Sequence, residues 1–101
     1  MMVKHIIIWT LKEMPEAEKT EHKKLIKEGL EGLKGKIDGL LEIKVVTEPL
    51  PSSNGDLMLD STFADYDALK GYSVHPEHVK VADERVIPFT ADRKCLDFEI
   101  I

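Results

Sequence analysis

The sequence predicts an α+β fold in which a four-stranded antiparallel sheet carries helices on one face. The chain has 101 residues, of which 43% are hydrophobic and 33% charged, and this composition suits one globular domain (residues 1–101) with one modest core. Segments of strand and helix character follow in the order β-α-β-β-α-α-β. Chains of this size and order usually form a ferredoxin-like sheet with right-handed crossovers.

The first half of the chain predicts two strands and one long helix. Residues 3–11 are rich in Ile, with Val, Trp and Thr, which is typical of a strand. Met14-Pro15-Glu16 predicts a helix start, because proline is tolerated in the first turn. Apolar residues then recur every three or four positions, which predicts an amphipathic helix that ends at Gly35. Residues 40–47 predict the second strand, and the turn-forming residues 48–55 predict a loop.

The second half predicts a third strand, two short helices and a last strand. The third strand runs from Asp56 or Leu57 to Phe63, and Asp65 is a plausible N-cap for the helix that follows. Pro76 breaks that helix and opens the next one, which ends before Pro88. The last strand is expected near residues 94–100. We expect the inner face of the third helix to carry Val79, Ala82 and Val86.

Both faces of the predicted sheet carry large apolar side chains. On the first strand Val3, His5, Ile7, Trp9 and Leu11 point towards the helices. The opposite, outer face carries Ile6, Ile8, Leu96, Phe98 and Ile100. Burying these side chains at about 1.5–3 kcal/mol each would stabilise an assembly by on the order of 10 kcal/mol before association costs. The sequence therefore predicts a homodimer through the outer sheet face; cover by the chain's own loops is the alternative.

The composition also argues against some classes of binding partner. The net charge is −5, and the lysines of the first helix alternate with glutamates, so we expect no nucleic-acid binding. No stretch approaches the roughly 20 apolar residues of a membrane helix, and we expect no membrane partner. The single cysteine, Cys95, suits a reducing compartment, and we expect a cytoplasmic location. No motif predicts a phosphate-binding loop, and we expect no cofactor.

The densest group of reactive side chains is the segment Tyr72-Ser73-Val74-His75-Pro76-Glu77-His78-Val79. His78 falls in the first turn of the third helix, whose positive end disfavours the imidazolium form, so a neutral ring could accept a proton. Asp97, on the inner face of the last strand, is the candidate to orient His78. Tyr72 could donate a hydrogen bond to a developing enolate oxygen. We therefore predict Tyr72, His78 and Asp97 as catalytic residues.

Four segments carry a resemblance to a known family: Val3-Lys4-His5-Ile6, Ser61-Thr62-Phe63, the Tyr72–Val79 segment and Leu96-Asp97-Phe98-Glu99. Over nearly its whole length the chain resembles the stress-responsive α/β-barrel (Dabb) domain family, which implies a dimeric α/β barrel. A plant polyketide cyclase of that family performs an intramolecular aldol condensation in a pocket between sheet and helices. Its catalytic tyrosine and histidine match Tyr72 and His78, its pocket histidine matches His5, and its orienting carboxylate resembles Asp97.

The resemblance has departures that affect the substrate. Leu57 stands where that cyclase has a further pocket histidine, and Ser73, Ala82 and Glu84 replace bulky apolar residues. The polyketide substrate is therefore not carried over, and the implied activity is proton transfer or aldol-type chemistry on a carbonyl compound. We expect a ligand-binding pocket lined by His5, Ile7, Trp9, Leu59, Leu69 and His75.

Several alternatives stay open at the level of sequence. His75 could cap the helix break, and His78 and Tyr72 could be structural rather than catalytic. His75 and His78, with Glu77 and Asp83, could hold a metal, but the break at Pro76 makes convergence doubtful and we expect no metal site. The whole chain could be a non-catalytic ligand-binding or stress-response module. A cofactor-independent monooxygenase-like activity is a weaker alternative.

Overall fold

The computed structural model describes residues 1–100. Four strands and three helices follow the expected order, and the ferredoxin-like α+β fold is confirmed. The elements are β1 (Val3–Leu11), α1 (Glu16–Glu31), β2 (Leu40–Val46), β3 (Leu57–Phe63), α2 (Tyr66–Val74), α3 (Pro76–Val81) and β4 (Thr90–Glu99). Between α3 and β4 the chain continues through a π-helical segment, Ala82–Val86, and a 3-10 turn, Ile87–Phe89.

The sheet is antiparallel throughout, with strand order β2-β3-β1-β4. The alternation predicted for β1 is confirmed, because its inner residues from Val3 to Leu11 are buried against the helices. The outer face carries apolar side chains in the open: Ile8 is 43% exposed, Leu96 64% and Phe98 46%. The single chain therefore has one covered and one uncovered sheet face.

The first helix ends earlier than the sequence predicts. We expected the end at Gly35, but α1 ends at Glu31, and Gly35 lies in the following turn with φ +87°, which glycine adopts without strain. The Glu31 carboxylate accepts hydrogen bonds from Lys27 Nζ at 2.7 Å and from the Val45 N–H at 2.9 Å. Burial tends to raise the pKa of Glu31, but these two bonds together with the charges of Lys27 and Lys44 outweigh it and hold that pKa below its usual value. The carboxylate thus ties the end of α1 to β2.

The break between α2 and α3 has the expected local chemistry. Asp65 caps α2 by accepting a hydrogen bond from the Ala68 N–H at 2.8 Å. His75 has extended backbone angles (φ −66°, ψ 133°), and its Nδ1 accepts from the Glu77 N–H at 3.1 Å. Of the residues expected on the inner face of the third helix, Val86 is buried in the core as predicted, whereas Val79 is 38% exposed and that part of the prediction is wrong.

No helix within residues 1–100 combines the length and the apolar character needed to cross a membrane.

Candidate functional site

A cavity of about 340 Å³ lies between the inner face of the sheet and the helices. Strand β1 lines it with His5, Ile7 and Trp9, and β3 adds Leu59. The side chains of Tyr72 from α2 and His78 from α3 reach it from the other side. The break at Pro76 makes this possible, since it turns α3 relative to α2 and brings the two side chains together.

Two residues expected in the pocket lie elsewhere. Leu69 is buried in the core and does not line the cavity, because it lies one helical turn before Tyr72 on α2. His75 caps α3 and borders a different surface depression. The pocket roles expected for Leu69 and His75 are therefore wrong, and the capping role left open for His75 matches the structure.

Tyr72 is the most enclosed polar side chain of the site. Its residue is 1% exposed, and its ring packs edge-on against Phe63, with 4.9 Å between ring centroids. The hydroxyl is buried and has no hydrogen-bond partner among residues 1–100. Burial raises the pKa of Tyr72, so the group stays protonated at neutral pH. The hydroxyl is therefore an O–H donor that could donate a hydrogen bond to a ligand oxygen.

His78 lies directly beside Tyr72, with 4.2 Å between the ring centroids. Burial is the largest cause of a lowered pKa at His78, so the ring is neutral near pH 7, as the sequence predicted from the helix end. Nδ1 lies 3.3 Å from the carbonyl oxygen of Ser73. A neutral ring that donates from Nδ1 to this carbonyl keeps Nε2 free as a proton acceptor.

Asp97 does not orient His78, and that expected pairing is wrong. Its Oδ1 lies 2.5 Å from Nδ1 of His5, because the β1–β4 register places Asp97 directly opposite His5 on the same sheet face. A neutral His5 that donates from Nδ1 to the carboxylate has its other nitrogen, Nε2, as an acceptor. The site therefore contains two oriented histidines, one held by a carboxylate and one by a backbone carbonyl.

Within residues 1–100, one group of side chains has its possible metal-binding atoms close together: ligand atoms of His5, Cys95 and Asp97, at the edge of the site, lie within 4.8 Å of one another. Tetrahedral zinc, with bonds of about 2 Å, would space a nitrogen and an oxygen ligand by roughly 3.3 Å. The 2.5 Å contact of His5 with Asp97 is instead that of a hydrogen-bonded pair. Burial and the nearby carboxylate raise the pKa of the Cys95 thiol, which favours the protonated thiol over a metal-binding thiolate.

Sequence reasoning missed Arg93, which among residues 1–100 is the only permanently charged side chain that lines the cavity. A signal for it existed. Arg93, Cys95 and Asp97 alternate along β4 and so share the inner face of the sheet. Ser73 and Thr90 also line the cavity and add hydroxyl groups to it.

An antiparallel sheet with a pocket on its helix side and an uncovered apolar outer face defines a ferredoxin-like α/β-barrel protomer. The chain belongs to the family described as the Stress Responsive A/B Barrel Domain (Dabb), which it matches over residues 3–100. No curated protein sequence matches the chain.

Solved structures agree with this family. A dimeric protein of unknown function and ferredoxin-like fold from Bacteroides fragilis is 33% identical, with a TM-score of 0.91 over 98% of this chain and 96% of that one. Hydroxynitrile lyase from Passiflora edulis is 17% identical, with a TM-score of 0.76 and coverage of 99% and 94%. SnoaB, a cofactor-independent oxygenase from Streptomyces nogalater, is 11% identical, with a TM-score of 0.74 and coverage of 98% and 92%. The last two likenesses show the fold alone.

Proposed function

We propose that the chain is a homodimeric Dabb protein that binds a small carbonyl compound in its cavity and transfers a proton next to the carbonyl, as in an aldol-type reaction. The carrying observation is the buried hydroxyl of Tyr72, which has no hydrogen-bond partner among residues 1–100 and belongs to a residue that lines that cavity. Leaving a buried donor unpaired costs about 1–3 kcal/mol. A ligand oxygen that accepts this hydrogen bond would offset the cost, and a carbonyl oxygen is such an acceptor.

The proposed chemistry uses two neighbouring groups. The Tyr72 hydroxyl donates to the carbonyl oxygen, and Nε2 of His78 takes the proton from the adjacent carbon. The C–H electron pair then moves into the enolate, whose negative oxygen is held by Tyr72. Return of the proton from His78 to carbon completes an exchange reaction. In an aldol-type reaction the enolate carbon attacks a second carbonyl carbon instead, and the alkoxide formed there takes the proton from His78. Proton transfer of this kind contributes about 10²–10⁴ in rate.

His5 and Asp97 support this chemistry from the opposite wall. His5 lines the cavity, and its hydrogen bond to Asp97 fixes the ring and its tautomer. Its Nε2 is a second acceptor, suited to hold a ligand hydroxyl or to relay a proton. We assign His78 the role of base because its lowered pKa keeps it neutral, and we assign Asp97 the role of positioning His5.

The proposed dimer covers the outer sheet face. Leu96 and Phe98 of β4 and Ile8 of β1 lie exposed there, and their burial in a two-fold sheet-on-sheet contact would stabilise the pair. The Bacteroides fragilis neighbour is described as dimeric, and so are two further solved neighbours.

A non-catalytic ligand-binding role is the second candidate, favoured by the mostly apolar walls of the cavity, such as Ile7, Trp9 and Leu59. Oxygenase activity has only the shared fold with SnoaB in its support.

The test is proton exchange at carbon. Acetophenone incubated with the protein in D2O should lose its methyl protons faster than in buffer, as followed by proton NMR. His78→Gln and Tyr72→Phe should each reduce the excess rate by about 10²-fold, whereas His75→Gln, outside the cavity, should not. Binding without any excess exchange would favour the non-catalytic candidate. If the protein showed no binding and no excess exchange, both candidate functions would be contradicted.

A further inference from the structure

Arg93, which is exposed in the single chain, places a positive charge on the wall of a cavity that has no acidic lining residue among residues 1–100. It stands on β4 opposite Trp9 of β1, and both residues line the cavity. None of the ion pairs found in the described part of the chain involves Arg93. This contrasts with Lys4 and Lys27, which reach carboxylates at 2.8 Å and 2.7 Å.

The charge of Arg93 reaches the reactive groups of the site. Burial is the main cause of the lowered pKa of His78, and Arg93 adds to it. At Cys95, burial raises the pKa, and Arg93 opposes that shift. The guanidinium thus lies near both the proposed base and the β4 edge of the cavity.

A guanidinium in such a setting is suited to bind an anion. Its planar array of N–H donors matches a carboxylate with two parallel hydrogen bonds, and such charge-assisted bonds are stronger than neutral ones. The neutral His78 and the Tyr72 hydroxyl donor on the same cavity carry no negative charge. The Asp97 carboxylate, on the same sheet face as Arg93, is hydrogen-bonded to His5 and does not line the cavity. The chain as a whole is acidic, with a net charge of −5, so the local cation does not follow from a generally basic surface.

We propose that Arg93 forms an anion subsite, so that the ligand of this cavity is a carbonyl compound that also carries a carboxylate. The inference rests on the proposed carbonyl site and deepens it by naming the substrate class: a keto acid or an acyl-substituted aromatic acid. The carboxylate binds Arg93, and the carbonyl oxygen accepts from Tyr72.

Matched probes test the subsite by binding alone. The acids 3- and 4-acetylbenzoate and their neutral amides differ in charge and little in shape. In isothermal titration calorimetry, the wild-type protein should bind the better acid at least about tenfold more tightly than its amide. Raising NaCl from about 50 to about 500 mM should weaken acid binding and leave amide binding nearly unchanged.

Substitution locates the charge. Arg93→Gln should remove the preference for the acid, and Arg93→Lys should restore part of it. Lys80→Gln is the matched control, because it removes the same charge from α3 at a residue that does not line this cavity. Circular dichroism melts should show that all three variants are folded.

The outcomes separate this inference from the proposed function. Equal binding of acid and amide by the wild type, or a preference that survives in Arg93→Gln, overturns the Arg93 subsite while the carbonyl site stands. If the protein binds neither the acid nor the amide, the proposed ligand pocket is contradicted, and the Arg93 subsite is contradicted with it.

Discussion

Nδ1 of His5 lies 2.5 Å from Oδ1 of Asp97, and this pair joins the central strand β1 to the edge strand β4. The histidine is 6% exposed, whereas the aspartate is open to solvent. A carboxylate at the edge of the sheet therefore controls the orientation of a ring inside the cavity.

We expect Asp97→Asn to change the tautomer of His5. The Asp97 carboxylate accepts only, so it selects the tautomer that carries the proton on Nδ1; an amide can also donate, and both tautomers should then be populated. Long-range proton–nitrogen NMR spectra report this directly. The free energy of unfolding should fall by about 1 kcal/mol. Asp92→Asn, on the same strand and without contact to His5, is the control. An unchanged His5 spectrum in Asp97→Asn would contradict the assigned role.

Tyr72→Phe should stabilise the ligand-free protein. The substitution removes a buried hydroxyl that has no partner and keeps the ring that packs on Phe63. We expect a gain of about 1 kcal/mol in the free energy of unfolding, measured by urea denaturation, together with the loss of proton exchange described above. Tyr66→Phe should be neutral, because Tyr66 is 57% exposed. A loss of stability in Tyr72→Phe would mean that the hydroxyl has a partner in solution.

His78 should make stability depend on pH. Burial lowers its pKa in the folded state, so the unfolded chain binds the proton more strongly. The contribution of His78 is complete above the unfolded pKa of about 6.5; it begins to be lost as pH falls below that value and is fully lost once pH has fallen through the lower folded-state pKa. Between about pH 7.5 and 5.5 the melting temperature should therefore fall less in His78→Gln than in the wild type. If the melting temperatures of the two proteins changed equally with pH, His78 would have the same pKa in the folded and unfolded states, and the prediction would be wrong.

Phe98→Glu should separate the proposed dimer. Phe98 lies on the outer face of β4 and is 46% exposed in the single chain. A glutamate there would place a charge in the apolar contact, and sedimentation at micromolar concentration should show monomers instead of the wild-type dimers. Val74→Glu is the control, since Val74 is 75% exposed on the helix side. A wild type that sediments as a stable monomer would overturn the dimer.

Much of the fold follows from local patterns in the sequence. The alternation in β1, the cap at Asp65 and the break at Pro76 each depend on neighbouring residues, so each is visible without tertiary information. The end of α1 depends on more. Gly35 looks like the terminator, but the helix ends at Glu31, whose carboxylate bonds to the distant Val45 N–H.

The site was less predictable because it depends on strand register. Tyr72 and His78 share one motif, and the sequence predicts both in the pocket. The contact of Asp97 with His5 depends on the register in which β1 pairs with β4. These two residues are 92 positions apart in the chain, so local sequence does not show that they meet. The same register brings the exposed Arg93 to the cavity wall. Its alternation with Cys95 and Asp97 indicates its sheet face, but only the pairing of β4 with β1 shows that it lies beside the cavity.

The uncovered outer face of the sheet also bears on how the protein is made. If the proposed dimer forms, a newly synthesised chain that has not yet paired exposes Leu96 and Phe98 as part of an apolar surface of the kind through which chains aggregate. Dimer formation must then be faster than aggregation, so the soluble yield of the protein should depend on the rate at which chains pair. Two differently tagged versions of the chain made in one cell should assemble directly into mixed dimers. Versions mixed after purification should form mixed dimers only as fast as the existing dimers dissociate.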